Sequence, residues 1–182
     1  MLRRLVILFP LVVGCAPAVL SSSDPERSAQ IAALGGEEPQ VPRGPLHRPG
    51  QPCALCHDGG EAGEFSVAGT IFRDDMGPTP LADATVILLD SAKTRFSAHT
   101  NCVGNFFVSP NDFQPVFPLW ATVVLGDNNV PMESPINRER SCASCHFDPM
   151  GPRSAGRVFL TADELVVPTI PTRACRPDEG RR

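Results

Sequence analysis

The pentapeptide Cys-x-x-Cys-His occurs twice in the chain, as Cys53–His57 within PCALCH and as Cys142–His146 within SCASCH. This spacing suits covalent attachment of c-type haem. Two thiols three positions apart reach the two vinyl groups of one porphyrin, and the histidine that follows is held under the iron. With 7 cysteines and 4 histidines in 182 residues, chance supplies far less than one such pentapeptide. The two copies are therefore expected to share a role. Cys53, Cys56, Cys142 and Cys145 would attach two haem c groups, with His57 and His146 as proximal ligands. Two alternatives use the same thiols. They could converge as a four-cysteine zinc tetrahedron, or pair as local or crossed disulfides. Some 85 residues separate the pairs, which is long for a zinc ribbon, and neither alternative uses the histidine after each pair.

The remaining donors fit around this reading. His47 and His99 are the other two histidines, one candidate sixth ligand for each iron. Met76, Met132 and Met150 compete with them, since thioether ligation raises a haem potential. Met150 lies four residues from His146, too near to reach the opposite face of the same haem. Cys102 and Cys175 are left over, and in an exported chain they are expected to form a disulfide. That bridge would clip the tail PTIPTRACRPDEGRR onto the domain.

Export is written in the N-terminus. Arg3 and Arg4 precede the apolar run LVILFPLVV, residues 5–13, which is too short to span a bilayer. The run ends Val12-Val13-Gly14-Cys15, which looks like a bacterial lipobox. On that resemblance residues 1–14 are a signal peptide and Cys15 is the lipidated first residue of the mature chain; the alternative is an ordinary secretory signal cut after Ala16 or Ala18. More than one acyl chain is what holds a soluble domain stably on a membrane. Ala16 and Pro17, with no Asp beside the lipid cysteine, point to the outer membrane, on its periplasmic side or surface. The mature chain keeps 14 basic and 20 acidic side chains, net −6. With no Lys/Arg block, nucleic-acid binding has no electrostatic support.

The elements that must position these residues are short strands. Twenty prolines argue against a helical architecture, because each internal proline removes a hydrogen bond and clashes with the preceding turn. Residues 15–50 read as a lipid-anchored flexible tether with one short helix in DPERSAQIAALGG, capped by Asp24 and stopped at Gly35. Residues 51–63 hold the first motif. Residues 64–165 read as the β-sandwich, containing the second motif, and 166–182 as a tail. Strand candidates are EFSVAGTIF (64–72), ATVILLD (84–90), KTRFSAHT (93–100), GNFFV (104–108), LWATVVLG (119–126) and GRVFLT (156–161). In the third, Thr94, Phe96, Ala98 and Thr100 face one way and Arg95, Ser97 and His99 the other. The expected fold is all-β, an antiparallel β-sandwich of about seven short strands with the motif loops at its flanks.

Residues 68–108 resemble a carboxypeptidase regulatory-like (transthyretin-type) β-sandwich. The resemblance rests on Gly69-Thr70-Ile71, on Pro80-Leu81-Ala82-Asp83-Ala84-Thr85-Val86, and on the hairpin Thr100-Asn101-Cys102-Val103-Gly104-Asn105-Phe106. Asp83 stands where that pattern has Gly, and Asn101 where it has Asp. The family implies a scaffold, not an activity. Bracketed by the two motifs, the chain is similar to exported lipoproteins that join such a sandwich to haem attachment, and to small multihaem cytochromes. No nucleophile elbow, zinc-protease helix or phosphate loop is present, and Glu61, Glu64 and Asp148 read as solvated loop charges. The expected role is a membrane-anchored dihaem electron carrier without substrate chemistry, working with redox partner proteins. The alternative is a non-redox, lipid-anchored binding or structural module stapled by zinc or disulfides.

Overall fold

Alternation along short β-branched segments decides the architecture. A computed structural model of the chain describes residues 25–37, 41, 43–60, 62–161, 163, 167, 170 and 172–179. Strands β1 (Val67–Thr70), β2 (Thr85–Asp90), β3 (Arg95–His99), β4 (Asn105–Val108), β5 (Leu119–Leu125) and β6 (Asn128–Pro131) follow one helix, α1 (Pro25–Ala33). They form two antiparallel sheets, β1-β4 and β3-β2-β5-β6. The inward residues Val86 and Leu88 of β2, Ala98 of β3, Phe106 and Val108 of β4, and Leu119 and Val123 of β5 meet in one core. Ile71, Leu81, Leu88, Leu119 and Leu160 are fully buried, each contributing about 2 kcal/mol by removing apolar surface from water. The all-β sandwich-like fold is as expected.

Two segments differ from expectation. Residues 156–161 form no regular strand. Phe72 N donates to Val158 O (2.8 Å) and Leu160 N to Phe72 O (3.1 Å), an isolated parallel bridge beside the continuation of β1. The chain returns there from a loop, so the ladder is too short to propagate. Conversely, β6 is not among the expected strands, because NNVP is polar and ends in proline. It is an edge strand, where proline and polar side chains are tolerated. Leu125 pairs with Asn128 across the two-residue turn Gly126-Asp127, with Gly126 at φ +57°. That dipeptide is the available hairpin signal.

The segment assigned to the tether is docked in part. Helix α1 lies where expected, and Gly35 ends it at φ +75°. Buried Arg27 on α1 donates to Leu55 O and pairs with Asp58 at 3.0 Å, so the helix is fastened across the first motif. Asp24 and Cys15 lie outside the described residues. Among the described residues no helix is long and apolar enough to cross a membrane.

At the other terminus Cys102 and Cys175 form a disulfide, with Cα atoms 4.9 Å apart across 73 positions. Charge reinforces it. The Arg173 guanidinium donates to both carboxylate oxygens of Asp83, at 2.5 and 2.8 Å, and to both of Glu179, each at 2.7 Å. Hydrogen bonding from Arg173 pulls the Glu179 carboxyl down to about 2. Glu179 Oε1 also accepts from Cys102 N (3.2 Å). Closing a loop of this length by a disulfide stabilises by about 4 kcal/mol. Replacing Cys102 and Cys175 together by alanine should lower the Tm by roughly 8–16 °C. An unchanged melting curve would show that the bridge adds nothing to the fold.

Candidate functional site

Each Cys-x-x-Cys-His motif folds the same way. Cys53–Leu55 and Cys142–Ser144 are single 3-10 turns. In each, the first cysteine carbonyl accepts from the second cysteine N (3.1 Å in both) and from the histidine N (2.9 Å in both). Each imidazole is then anchored from behind. His57 Nδ1 lies 2.9 Å from Gly63 O and His146 Nδ1 lies 2.9 Å from Gly156 O. A carbonyl can only accept, so Nδ1 carries the proton and Nε2 keeps its lone pair. An Nδ1–H held by a backbone carbonyl is the arrangement that orients a metal-binding imidazole. The anchors, Gly63 and Gly156, follow their histidines by 6 and 10 residues, so no common spacing reveals them.

The two motifs are neighbours. Ala54 N donates to Ser141 Oγ (2.7 Å), tying the first turn to the residue that opens the second. Ser141 itself bridges Ala68 of β1 in parallel, and Ala68 N donates to Arg140 O (2.8 Å). The second motif therefore leaves the edge of β1 at Ser141, and the chain returns to that edge at Phe159. Gly69 lies between those points. A Cβ there would meet Cys142 Sγ at 2.5 Å and Cys142 Cβ at 2.8 Å, so only glycine lets the thiol approach the strand.

The first motif rests on the same sheet through its preceding loop. Gly50 N donates to Thr70 Oγ1 (2.7 Å), and Thr70 Oγ1 to Asn105 Oδ1 (2.7 Å). Asn105 Nδ2 reaches Pro45 O (3.2 Å) and His47 O (3.0 Å), and Asn101 Nδ2 also donates to Pro45 O (2.8 Å). This ladder of amides sets His47 beside His57, with ring centroids 5.9 Å apart and planes inclined by 25°. Gly44 backbone atoms occupy the Nδ1 side of His47. Phe65 stacks on His57 at 4.0 Å and on Phe107 of β4 at 5.1 Å. Asn105, Ser141, Arg27 and Phe65 are not singled out by the sequence, because an amide, a hydroxyl, an arginine and a ring carry no signature of what they will support.

His99 is placed elsewhere. It projects from the outer face of β3, exposed, with Nδ1 3.2 Å from Thr85 Oγ1. The structure brings His47 to a motif and leaves His99 on the other sheet. Glu64 pairs with Arg140 at 2.5 Å and Asp148 with Arg157, so these two carboxylates, expected as solvated loop charges, are held in ion pairs. Glu61 lies outside the described residues.

All four motif cysteines are free thiols. Among the described residues no three of His, Cys, Asp and Glu converge closely enough to hold a metal ion. Burial pushes the Cys53 thiol up to about 11, and burial with the neighbouring Cys53 pushes Cys142 up to about 12. Four unpaired thiols, two per turn, each pair followed by an imidazole with Nε2 available, is a donor set that fits covalent haem. Comparison with family models, curated proteins and solved structures returned no match.

Two outcomes are expected of the haem-free chain. Gly69→Ala should destabilise it by about 1–3 kcal/mol in denaturant unfolding, and Cys142→Ala should recover part of that loss; additive effects would place the clash elsewhere. The thiols also link stability to pH. Above the ordinary thiol value of 9.0 the unfolded chain releases protons that folded Cys53 and Cys142 keep. Their contribution is complete below that value and is lost as pH rises through about 11. Stability should therefore fall between pH 9 and 11, and the slope should flatten when both residues are serine.

Proposed function

We propose that this chain is an exported, lipid-anchored dihaem c-type electron-transfer protein. The observation that supports it best is the repeated local geometry. Two Cys-x-x-Cys turns on one sheet each end in a histidine whose Nδ1 is held 2.9 Å from a glycine carbonyl.

On this reading Cys53, Cys56, Cys142 and Cys145 would hold two porphyrins through thioether bonds. Bound haem supplies a one-electron iron couple, and the protein's work is ligation, orientation and spacing. His57 and His146 would ligate through Nε2, oriented by their Nδ1–H bonds to Gly63 and Gly156. His47, whose ring lies beside that of His57 at 5.9 Å between centroids, would be the second ligand on the first haem. Ser141, bonded to Ala54, holds the two attachment turns together and so sets the distance over which electrons pass. Cys15 would carry the lipid anchor at the outer membrane, bringing the sandwich within reach of membrane-bound redox partners. No observation on the site favours the zinc or non-redox alternative enough to carry a second reading.

Expression in a host with c-haem maturation should give red protein with two covalent haems per chain by pyridine haemochrome. A colourless product, or haem removed by acid acetone, would overturn the reading. His47→Ala should convert one haem from low to high spin, while His99→Ala should leave both spectra unchanged.

A further inference from the structure

We infer that the haem attached at Cys142 and Cys145 receives no second axial ligand from the described residues of this chain, so its iron keeps one position for an exogenous small ligand. The ligand class is a diatomic gas on the ferrous iron or a small anion on the ferric iron. This rests on the haem reading above.

The donors can be followed one by one. The chain has 4 histidines, all within the described residues. His57 and His146 are the attached pair, and His47 stands beside His57. His99 is on the outer face of β3, bonded to Thr85. Of the 4 methionines, Met1 lies in the expected signal segment, outside the described residues. Met76 is 68% exposed, with its backbone turned on Asp74 Oδ1. Met132 N donates to Ala121 O in the four-stranded sheet. Met150 alone is near the second motif, but on the wrong side of the imidazole. Its side chain lies over Gly156, 3.3–3.6 Å from where a Cβ would stand, and Gly156 O is the anchor of His146 Nδ1. The iron-binding Nε2 is at the opposite end of the ring. Lys93, the only lysine, sits at φ +68° in the β2–β3 turn, and Cys102 and Cys175 are bonded to each other.

The surroundings allow entry. Ser144, Cys145, Asp148, Pro149 and Met150 are all exposed, whereas the first motif is flanked by α1 through Arg27 and by the His47 loop. The two haems are therefore unequal. One is closed by two imidazoles and suited to passing electrons. The other is open and suited to binding a small ligand.

Titration of dithionite-reduced holoprotein with carbon monoxide tests this by absorbance. About one carbon monoxide per two haems is expected, and about two after His47→Ala, returning to one when imidazole is added to that variant. Met150→Ala should leave the stoichiometry unchanged. No carbon monoxide bound, or two per wild-type chain, would overturn the inference while leaving the dihaem reading intact. Failure to find haem at all would overturn the dihaem reading, and the inference with it.

Discussion

The site depends on the free edge of β1. A two-stranded sheet has one strand edge on each side, and an unpaired edge leaves backbone donors and acceptors that must be satisfied. Here β4 takes one edge of β1. The other is taken first by Arg140–Ser141 at Ala68 and then by Val158–Leu160 at Phe72. The second motif occupies the excursion between these two attachments. An edge strand is thus covered by the segment that holds the second motif, and covering it fixes both ends of that segment. Ser141 extends the same constraint to the first motif, because its hydroxyl accepts from Ala54 N while its backbone bridges Ala68.

The resemblance to a regulatory-like sandwich becomes informative at its departures. Where that pattern has glycine, Asp83 takes φ +59°, a conformation that costs a non-glycine residue roughly 1 kcal/mol. The carboxylate that comes with it binds Arg173 and brings the tail to the hairpin. Where the pattern has aspartate, Asn101 still organises the turn, its Oδ1 accepting from Val103 N (3.1 Å) and Asn105 N (3.0 Å). An aspartate could do that much. Only the amide adds a donor, and it is spent on Pro45 O, in the loop that carries His47. Asp83 and Asn101 each make the hairpin an attachment point for a flanking segment.

Much of this was legible in the sequence, and the boundary has a physical reason. The strands showed because burial of one face imposes a period of two, as in β3, where Phe96 and Ala98 enter the core and His99 stays out. The motifs showed because the same five-residue spacing occurs twice. The Cys102–Cys175 bridge is the pairing left when the motif cysteines and Cys15 are set aside. What did not show was long-range and polar. Nothing local in DPERSAQ marks Arg27 for a carbonyl 28 residues away, and residues 43–50 read as a tether because proline and glycine composition is shared by flexible linkers and by ordered loops. Their order comes from Asn101, Asn105 and Thr70, residues whose local role in turns and strands hides a second partner.

The same reasoning explains why two near-identical hexapeptides need not do identical work. Local sequence dictates the turn, since cysteine carbonyl, cysteine N and histidine N bond alike in both. It dictates nothing on the far side of the imidazole. There the first motif meets a loop, His47 and a helix, all supplied by the 28 residues that precede Cys53 from Pro25 onward. The second motif packs on β1 at Gly69 and is followed by its own return to that strand, a loop whose exposed tip is Met150. A repeated motif inserted into a scaffold inherits its function from the segments packed against it, and here only one copy has segments to spare.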